Sequence, residues 1–428
     1  MILYNPFVRQ RTGKFDTLVT RNRQSMAIRR NWFCGLGLCA LLGGTAQAEV
    51  ALVGEVSISG ESTDLSGLTG HFDNGIPHNQ FGGISAIEHI AGDQYLLLPD
   101  RGPGDGAVPY ATRFHLAKIQ IPETKGGLSL QLTETHFLTK KSGQPLVGAA
   151  NALQNGPEHP GRLDPEGMRL VRRMGQDPLL AISDEYGPRI DLYQMSGQRE
   201  RKLKVPSHFE VEHAHHDPSI EMSQNHSGRQ PNAGFEALAI TPDSATLYTM
   251  GQRPLLQDGA LVDGQQVGRL NRILRVNIAS EATAEFVYVL DSPTQVVCEL
   301  LCVDDHRALV LERDSLSGNA SRFKRIALID FTGASDVSGV KSLPSNPEDL
   351  PAEIKPVGKR AFIDLLNPRY GIAGEQCPAK FEGLTFGPDR QDGKKTLLVS
   401  VDNDFRPDQP TRILAFSISA DEIGRAHV

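Results

Sequence analysis

The sequence of 428 residues contains a single tryptophan, Trp32. This residue lies in the N-terminal segment that we predict to be removed, so the mature chain has no tryptophan. Sugar-binding clefts often rely on large aromatic faces. The scarcity of such side chains therefore disfavours a polysaccharide-binding protein.

Cysteine is also scarce, and only Cys298, Cys302 and Cys377 follow residue 48. On a strand, Cys298 and Cys302 would be about 13 Å apart, which is too far for a disulfide. Cys298 and Cys377 each precede the opening of a repeat, in neighbouring units. Either they form a disulfide in an oxidising compartment or they are small buried residues. Nothing around them indicates a cysteine nucleophile.

Familiar hydrolase and phosphate-loop motifs are missing. The sequence has no Gly-x-Ser-x-Gly elbow, no His-Glu-x-x-His pair and no Gly-x-x-x-x-Gly-Lys loop. A serine-hydrolase mechanism therefore has no visible nucleophile, and water activated by a metal ion or a carboxylate is favoured.

The apolar segment from Trp32 to Leu42 is too short to span a bilayer. It follows Arg29-Arg30 and precedes Ala46-Gln47-Ala48, which has the A-x-A form of a cleavage site. The pattern predicts a signal peptide over residues 1–48, of Sec or twin-arginine type. We therefore expect export to the bacterial periplasm or beyond, with no stable membrane insertion after cleavage.

Loss of this segment would change the charge of the chain. It removes seven basic residues and one acid, Asp16, so the net charge changes from −7 to about −13. An acidic mature chain disfavours nucleic acid and anionic membranes as partners. Translation starts at Met1 or at Met26, and the sequence leaves both open.

A recurring unit organises the rest of the chain. Each unit opens on a short motif, continues with an apolar run that ends in polar residues, and restarts on an arginine. The openings are Phe81-Gly82-Gly83-Ile84, Pro165-Glu166-Gly167-Met168, Phe235-Glu236-Ala237-Leu238, Cys298-Glu299-Leu300-Leu301 and Phe381-Glu382-Gly383-Leu384. The restarts are at Arg113, Arg189, Arg272, Arg322 and Arg412.

Short apolar runs bounded by turn residues predict strands. Five such units predict an all-β chain, a β-propeller of five or six blades within one domain over residues 49–428. A sixth, degenerate blade could lie in residues 120–165 or 330–375. Since the last unit lacks a fourth strand, we expect residues 50–58 to supply it and close the ring by pairing the two termini.

In a propeller, the first strand starts on the face where the second strand ends. Carboxylates and arginines should therefore gather at one rim. Crowded carboxylates repel one another unless cations intervene, and oxygen ligands on loops suit Ca²⁺. Alternatively, the repeated glutamates and arginines pair between blades and serve only the structure.

These residues resemble the phytase-like family called esterase-like activity of phytase, over nearly the whole mature chain. The matching stretches are Leu163-Asp164-Pro165-Glu166-Gly167-Met168, Asn232 to Ala239, Leu309-Val310-Leu311-Glu312-Arg313, Phe381-Glu382-Gly383-Leu384 and Asp402-Asn403-Asp404-Phe405. The resemblance implies a propeller and an exported hydrolase of phosphate esters or other esters that depends on calcium. One departure is Gln252, where the family pattern has Glu.

We therefore predict a calcium-assisted hydrolase of a small phosphate ester, of unknown oligomeric state. The predicted catalytic residues are Glu166, Glu236, Glu299, Glu382 and Glu312. The predicted substrate-binding residues are Arg101, Arg253, Arg313, Arg113 and Arg412. The predicted metal ligands are Asp100, Asp184, Glu185, Asp402 and Asp404. The alternatives are a lactonase or carboxyl esterase on the same propeller, and a non-catalytic periplasmic propeller that binds a ligand or a protein.

Overall fold

Strands form where β-branched and aromatic residues recur between turns rich in glycine and aspartate. The computed structural model describes residues 50–153, 159, 161–262, 265–419 and 422–423. In chain order the strands are β1 (Ala51–Ile58), β2 (Ile84–Ala91), β3 (Gln94–Pro99), β4 (Arg113–Gln120), β5 (Ser129–Phe137), β6 (Leu146–Val147), β7 (Gly161–Arg162), β8 (Pro165–Val171), β9 (Leu179–Asp184), β10 (Arg189–Gln194), β11 (Arg199–Lys202), β12 (Phe235–Ile240), β13 (Thr246–Gly251), β14 (Ala260–Val262), β15 (Gln265–Val267), β16 (Leu270–Asn277), β17 (Thr283–Val289), β18 (Val296–Cys302), β19 (Arg307–Arg313), β20 (Lys324–Asp330), β21 (Gly358–Asp364), β22 (Lys380–Phe386), β23 (Lys395–Asp402) and β24 (Thr411–Ile418).

Helical structure is sparse in the described residues. The α-helix α1 (Pro218–Gln224) begins after Asp217, whose carboxylate accepts hydrogen bonds from two backbone N–H groups of the first turn. The 3₁₀ helices are Ser207–Phe209, Leu256–Asp258, Gly318–Ala320, Pro347–Asp349 and Pro368–Tyr370. No helix among the described residues has the length and apolarity needed to cross a membrane.

The described strands assemble into five four-stranded antiparallel sheets, which are the blades of a β-propeller. From the innermost strand outward they are blade I (β2-β3-β4-β5), blade II (β8-β9-β10-β11), blade III (β12-β13-β16-β17), blade IV (β18-β19-β20-β21) and blade V (β22-β23-β24-β1). The five inner strands contact one another in a closed ring, β2 to β8, β12, β18, β22 and back to β2. They therefore surround a central channel.

The ring closes as predicted. Strand β1 pairs antiparallel with β24, from Ala51 opposite Ser417 to Ile58 opposite Thr411. The two stretches considered for a sixth blade contribute outer strands instead, since β5 belongs to blade I and β21 to blade IV. The described residues thus form five blades.

The hydrophobic core lies between neighbouring blades. Five clusters of buried residues each join the sheets of two adjacent blades, for example Leu311 of blade IV with Val399 of blade V. Because both faces of each sheet pack against neighbours, the inner and middle strands are almost wholly apolar in their centres. Polar side chains are left to the strand ends and the channel.

Two further predictions concern the N-terminal segment and the cysteines. The predicted signal peptide, residues 1–48, lies outside the described residues. Cys298, Cys302 and Cys377 are buried and free among the described residues. The structure therefore agrees with small buried residues and not with a disulfide between Cys298 and Cys377.

Candidate functional site

Each inner strand carries a β-bulge close to its first residue. A bulge leaves one or two residues without a partner on the adjacent strand and re-aims their side chains. The first bulged residues of blades I to V are Ser85, Glu166, Glu236, Cys298 and Glu382. We call this set the bulge ring, because the inner strands that carry it surround one axis.

A second ring comes from the end of the second strand of each blade. Its members lie opposite the residue that is two positions before the bulge. In blade order they are Asp100, Glu185, Gln252, Arg313 and Asp402. All five line one cavity, together with most of the bulge ring. The mouth of the channel is therefore built from two side chains per blade.

The cavity has a volume of about 530 Å³ and is strongly acidic. Among the described residues its lining includes eight carboxylates and three basic side chains. The carboxylates are Asp100, Asp105, Glu166, Glu185, Glu236, Glu382, Asp402 and Asp404, and the basic residues are Arg101, Arg313 and Lys380. Such a surface attracts cations and repels anions.

Glycine follows the bulged glutamate in blades II and V because the next inner strand approaches closely. A Cβ atom at Gly167 would lie 2.5 Å from the Cβ of Leu238, and one at Gly383 would lie 2.9 Å from the backbone N of Ile87. A larger residue would push the neighbouring blade away. The Glu-Gly pair therefore combines a site carboxylate with the packing of the ring.

Asp164, Glu166 and Glu185 form a first group of acids, with one oxygen of each within 4.8 Å of the others. Arg101 donates from Nη1 to Asp164 and, at 3.1 Å, to Glu185. The second oxygen of Glu185, Oε1, is buried without a hydrogen-bond partner among the described residues. Arg101 thus pairs with two carboxylates of this group and also with Asp105, but not with Glu166.

Glu236, Cys298 and Glu382 form a second group with the same spacing, within 4.8 Å. Gln252 donates to Oε1 of Glu236 at 2.9 Å, and Arg313 donates to Oε1 of Glu382 at 2.8 Å. The Oε2 atoms of both glutamates are buried and have no hydrogen-bond partner among the described residues. Each carboxylate is therefore held by one oxygen and presents the other.

Asp100, Asp402 and Asp404 complete the acidic lining. Lys380 pairs with Asp404 and lies 3.0 Å from Oδ2 of Asp402. Burial raises the pKa of Asp100 well above its usual range, and the negative charge of Asp402 raises it further. Lys380 opposes this rise in pKa.

The same two causes act on the glutamates. Burial and the charge of Glu236 raise the pKa of Glu166 well above its ordinary value, and burial and the charge of Glu185 do so for Glu236. Burial and Asp164 raise the pKa of Glu185 to about 8. These carboxylates are short of positive charge, and clefts with such groups are often functional sites.

Comparison with known proteins identifies the family. The profile of the Phytase-like family, described as esterase-like activity of phytase, matches residues 79–405. This is more than half of the chain. The chain belongs to the phytase-like family. The match covers all five inner strands and both rings of the mouth, which confirms the resemblance seen in the sequence.

The individual proteins that this chain resembles are distant in sequence. A protein of Arthroderma benhamiae described as an uncharacterized secreted protein is 23% identical over 350 residues, covering 64% of this chain and 67% of that protein. An exo-β-1,3-galactanase of Phanerochaete chrysosporium has a TM-score of 0.41 and 9% identity, covering 85% of this chain and 64% of the galactanase. A Dyadobacter fermentans protein of unknown function has a TM-score of 0.38 and 11% identity, covering 86% of this chain and 99% of its own.

The phytase-like propeller brings nine of the predicted site residues to one cavity. They are Glu166, Glu236, Glu382, Arg101, Arg313, Asp100, Glu185, Asp402 and Asp404. Asp184 lies just behind, where its carboxylate accepts a hydrogen bond from the backbone of Asp164 at 2.7 Å and pairs with Arg189 at 3.1 Å. The catalytic, substrate-binding and metal-binding roles of these residues remain predictions.

Glu299 does not line the cavity with Glu166, Glu236 and Glu382. The predicted equivalence of Glu299 with these glutamates was therefore wrong. The bulge of β18 falls on Cys298, so Cys298 occupies the position of Glu236 and Glu382. Glu299 is one residue further along, where it lies 2.9 Å from Arg169 and accepts hydrogen bonds from the backbone N–H groups of Leu238 and Leu300. Glu88 lies 3.6 Å from the same Arg169. We call Glu88, Arg169 and Glu299 the channel cluster.

Glu312 also lies away from the cavity. It is fully buried within blade IV, where Lys359 donates to it at 2.8 Å. Its neighbour Arg313 reaches the cavity because successive side chains of a strand point to opposite faces. The motif Leu311-Glu312-Arg313 therefore contributes its arginine to the site and its glutamate to the blade.

Three of the predicted arginines do not line the cavity. Arg113 is fully buried and pairs with Asp64 at 2.7 Å, and Arg412 pairs with Glu55 at 2.5 Å. Arg253 lies near Arg313, and burial and that charge lower the pKa of Arg253. Arg113 and Arg412 are thus paired with acids outside the repeated motif, and not with the repeated glutamates of an adjacent blade.

The sequence analysis missed Lys380, which lines the cavity, and Asp164 and Cys298, which lie within 4.8 Å of glutamates that line it. Asp164 and Lys380 each stand two positions before the bulged glutamate of their blade. An alignment of the units on the bulge, instead of on the aromatic–Glu pair, would have found both of them and Cys298. Gln252, noted as a departure, lines the cavity and holds Glu236.

Proposed function

We propose that this protein is an exported hydrolase that binds calcium at the mouth of its propeller and hydrolyses a phosphate ester there. The observation that supports this most strongly is the excess of buried carboxylates over basic side chains in the cavity. Membership of the phytase-like family supports a hydrolase in general. The substrate class and the cation are the proposal.

The cavity residues fit a hard divalent cation. Calcium takes six to eight oxygen ligands in flexible geometry, and the group Asp164, Glu166 and Glu185 gathers carboxylate oxygens within 4.8 Å. Oε1 of Glu185 is buried without a hydrogen-bond partner among the described residues. These residues would hold the ion, and Asp100 and Asp402 lie on the same wall.

Charge decides the order of binding. The three basic side chains of the described lining are already paired: Arg101 with Asp164 and Glu185, Arg313 with Glu382, and Lys380 with Asp402. A phosphate group entering this cavity alone would meet net negative charge. We therefore expect cations to bind first and the phosphate ester to bind after them.

The cavity residues have separate roles in the proposed hydrolysis. Bound calcium supplies positive charge that neutralises the carboxylates and polarises the phosphoryl oxygen. Glu166 accepts the proton of the attacking water, since no described residue donates a hydrogen bond to its carboxylate, and burial and neighbouring carboxylates raise its pKa above its ordinary value. Arg101 and Arg313 orient the phosphate through guanidinium N–H groups at the rim. The ester oxygen leaves and takes a proton from solvent.

Export is the remaining part of the proposal. The features of a signal peptide in residues 1–48 and the description of the Arthroderma benhamiae relative as secreted support it. Calcium is abundant outside the cytoplasm, so a weak calcium site could be filled there.

The test is hydrolysis of phosphate monoesters and diesters by the purified exported protein, with calcium and with a chelator. We expect turnover with calcium, and a loss of at least about 100-fold after chelation that added calcium reverses. The variant Glu134→Gln is the matched control, because Glu134 is an exposed glutamate on an outer strand. Its turnover should equal that of the parent.

Two outcomes would contradict the proposal. Turnover that is the same with and without chelator would show that the carboxylates need no cation. Hydrolysis of lactones or acyl esters but of no phosphate ester would replace the substrate class with that of a lactonase or carboxyl esterase on the same propeller.

A further inference from the structure

Two groups of three potential ligands lie at the cavity, and they differ in chemistry. The glutamates of both groups line the cavity, and Asp164 and Cys298 each lie within 4.8 Å of them. Asp164, Glu166 and Glu185 offer only oxygen, whereas the second group offers the sulfur of Cys298 between Glu236 and Glu382. We propose that Glu236, Cys298 and Glu382 form a second cation subsite that takes a thiophilic divalent ion such as zinc, beside the all-oxygen subsite. This inference rests on the proposed function, because it makes the centre one of two unlike metals.

Hydrogen bonds from two neighbouring side chains orient the two carboxylates of this subsite. Gln252 holds Oε1 of Glu236 and Arg313 holds Oε1 of Glu382, at 2.9 and 2.8 Å. In each case Oε2 is buried with no hydrogen-bond partner among the described residues. Outer partners that fix one oxygen and leave the other for the ion are a regular feature of metal sites.

The burial of these groups makes their lack of partners costly. Glu236, Cys298 and Glu382 are each only 4% exposed. A buried carboxylate oxygen without a hydrogen bond raises the free energy of the folded chain. A cation coordinated by both oxygens would remove this cost at both positions.

Charge balance also fits one divalent ion in each group. Arg101 is the guanidinium paired with the first group, and Arg313 is the one paired with the second. With a thiolate at Cys298, each group carries three negative charges and one positive charge. A single divalent cation neutralises the net negative charge that remains in each group.

Thiolate and carboxylate ligands select the metal. Zinc binds cysteine sulfur at about 2.3 Å and carboxylate oxygen at about 2.0–2.2 Å, whereas calcium takes oxygen ligands. Ligands of a tetrahedral zinc are therefore about 3.3–3.6 Å apart. The present separations, up to 4.8 Å, require side-chain movements of about 1 Å. Three protein ligands leave the fourth position for water or substrate, as in catalytic zinc sites.

Cys298 differs in this respect from the other two cysteines after residue 48. Of the groups of potential ligands among the described residues, only this one includes a cysteine. Cys302 packs with apolar residues between blades III and IV, and Cys377 packs between blades IV and V in the apolar cluster that also contains Cys298. Cys302 is therefore a matched control, a buried free thiol on the same strand, four residues away.

Binding converts the thiol of Cys298 to a thiolate. The S–H bond breaks, the sulfur keeps the electron pair and bonds to the ion, and the proton passes to solvent. No oxidation occurs in this step.

The test titrates the metal alone into the chelated, folded protein and does not use turnover. Cobalt(II) replaces zinc as the probe, because a cobalt–thiolate bond gives a charge-transfer absorption in the near ultraviolet. We expect this band at one equivalent of cobalt, and its loss on adding zinc but not on adding excess calcium. Cys298→Ser should abolish the band and weaken zinc binding by at least about 100-fold, whereas Cys302→Ser should keep both.

Several results would overturn the inference. They are the absence of the band in the folded parent protein, its persistence in Cys298→Ser, and its loss in Cys302→Ser. If Cys298→Ser does not fold, Glu236→Gln is tested instead, because this substitution removes a carboxylate ligand and leaves the thiol of Cys298 in place. Cobalt binding should then weaken by about 10-fold or more, and unchanged binding would overturn the subsite.

The outcome is separable from that of the proposed function. Calcium-dependent hydrolysis without a cobalt–thiolate band would remove only the second subsite. A band that depends on Cys298, without hydrolysis of any phosphate ester, would keep the subsite and remove the proposed reaction.

Discussion

Two buried clusters of acids lie along the inner strands, and they are neutralised differently. In the channel cluster, Arg169 lies between Glu88 and Glu299, and each carboxylate also accepts a backbone hydrogen bond. At the cavity, carboxylates outnumber basic side chains among the described residues. The chain supplies its own cation to the channel but too few cations to the cavity.

The causes of the pKa shifts show the same difference. Burial is the largest cause in both places and raises the pKa of Glu88, Glu299, Glu166 and Glu236. In the channel the next cause is Arg169, which lowers the pKa of Glu88 and of Glu299. In the cavity the next cause is another carboxylate, which raises the pKa of Glu166 and of Glu236. The channel cluster is thus neutralised by its own arginine, whereas the described lining of the cavity lacks compensating positive charge, which supports the proposed cation site.

The largest effect should follow removal of the channel cation. Arg169→Met leaves two carboxylates buried without a cationic partner, which typically costs about 3–5 kcal/mol. We expect the free energy of unfolding, measured with urea, to fall by that amount. Arg322→Met is the control, since Arg322 is exposed and donates only to nearby backbone carbonyls. A midpoint of Arg169→Met equal to that of the control would contradict the comparison.

Removal of a charge from the cavity should have the opposite effect on stability. Glu166→Gln relieves repulsion, so the chelated variant should unfold at the same temperature as the parent or higher. Turnover of the phosphate ester should fall by at least about 100-fold, because the proton acceptor is lost. Thermal unfolding and kcat check these two expectations. A large loss of stability without loss of kcat would place Glu166 with the channel cluster.

The pH dependence should separate the two clusters further. A carboxyl group whose pKa is raised by folding stabilises the protein fully below its ordinary pKa, and this stability is lost as pH rises through the folded value. Asp100, Glu166 and Glu236 belong to this class, and so does Glu185, whose own pKa is about 8. The Tm of the chelated protein should therefore fall by roughly 5 °C between pH 5 and pH 8.

Calcium should reverse only the part of the fall in Tm that comes from the cavity carboxylates. The channel groups Glu88 and Glu299 also have raised pKa values, but their cation is Arg169. We thus expect calcium to raise Tm more at pH 8 than at pH 5. An equal rise at both pH values, or none, would mean that the cavity carboxylates do not bind the ion.

The smallest effect should come from Arg412. Its pair with Glu55 is partly exposed, with side-chain exposures of 15% and 40%, and such pairs contribute less than about 1 kcal/mol. Arg412→Met should change the urea midpoint slightly and leave kcat unaltered, because Arg412 does not line the cavity. A fall in kcat comparable with that of Glu166→Gln would return Arg412 to the substrate site.

Much of the fold could be predicted from repetition. Short apolar runs between turns predicted strands, and the missing fourth strand of the last unit predicted its pairing with residues 50–58. The number of blades stayed open because β5 and β21 lie in long segments without an opening motif. Their place in the ring depends on pairing between distant residues, which local patterns do not contain.

The site could be predicted where the motif and the bulge coincide. This holds for Glu166, Glu236 and Glu382. It fails in blade IV, where Cys298-Glu299 resembles Phe235-Glu236 but the bulge falls one residue earlier. A shift of one residue turns a side chain to the other face of a strand, so Glu299 enters the channel.

The partners of the repeated arginines were beyond the reach of the sequence. Arg113 pairs with Asp64, Arg272 with Asp258 and Arg412 with Glu55. These acids lie in loops or in another strand, outside the repeated motif. Only the assembled blades show that these arginines are already paired, whereas the cavity still lacks positive charge.

The most direct test is a calorimetric titration of calcium into the chelated protein at pH 8, for the parent and for Glu166→Gln. We predict binding to the parent that is weakened at least about 10-fold by the substitution, while Glu134→Gln binds calcium like the parent. No calcium binding by the parent, or the same affinity in Glu166→Gln, would contradict the conclusion that the mouth of this propeller is a cation centre.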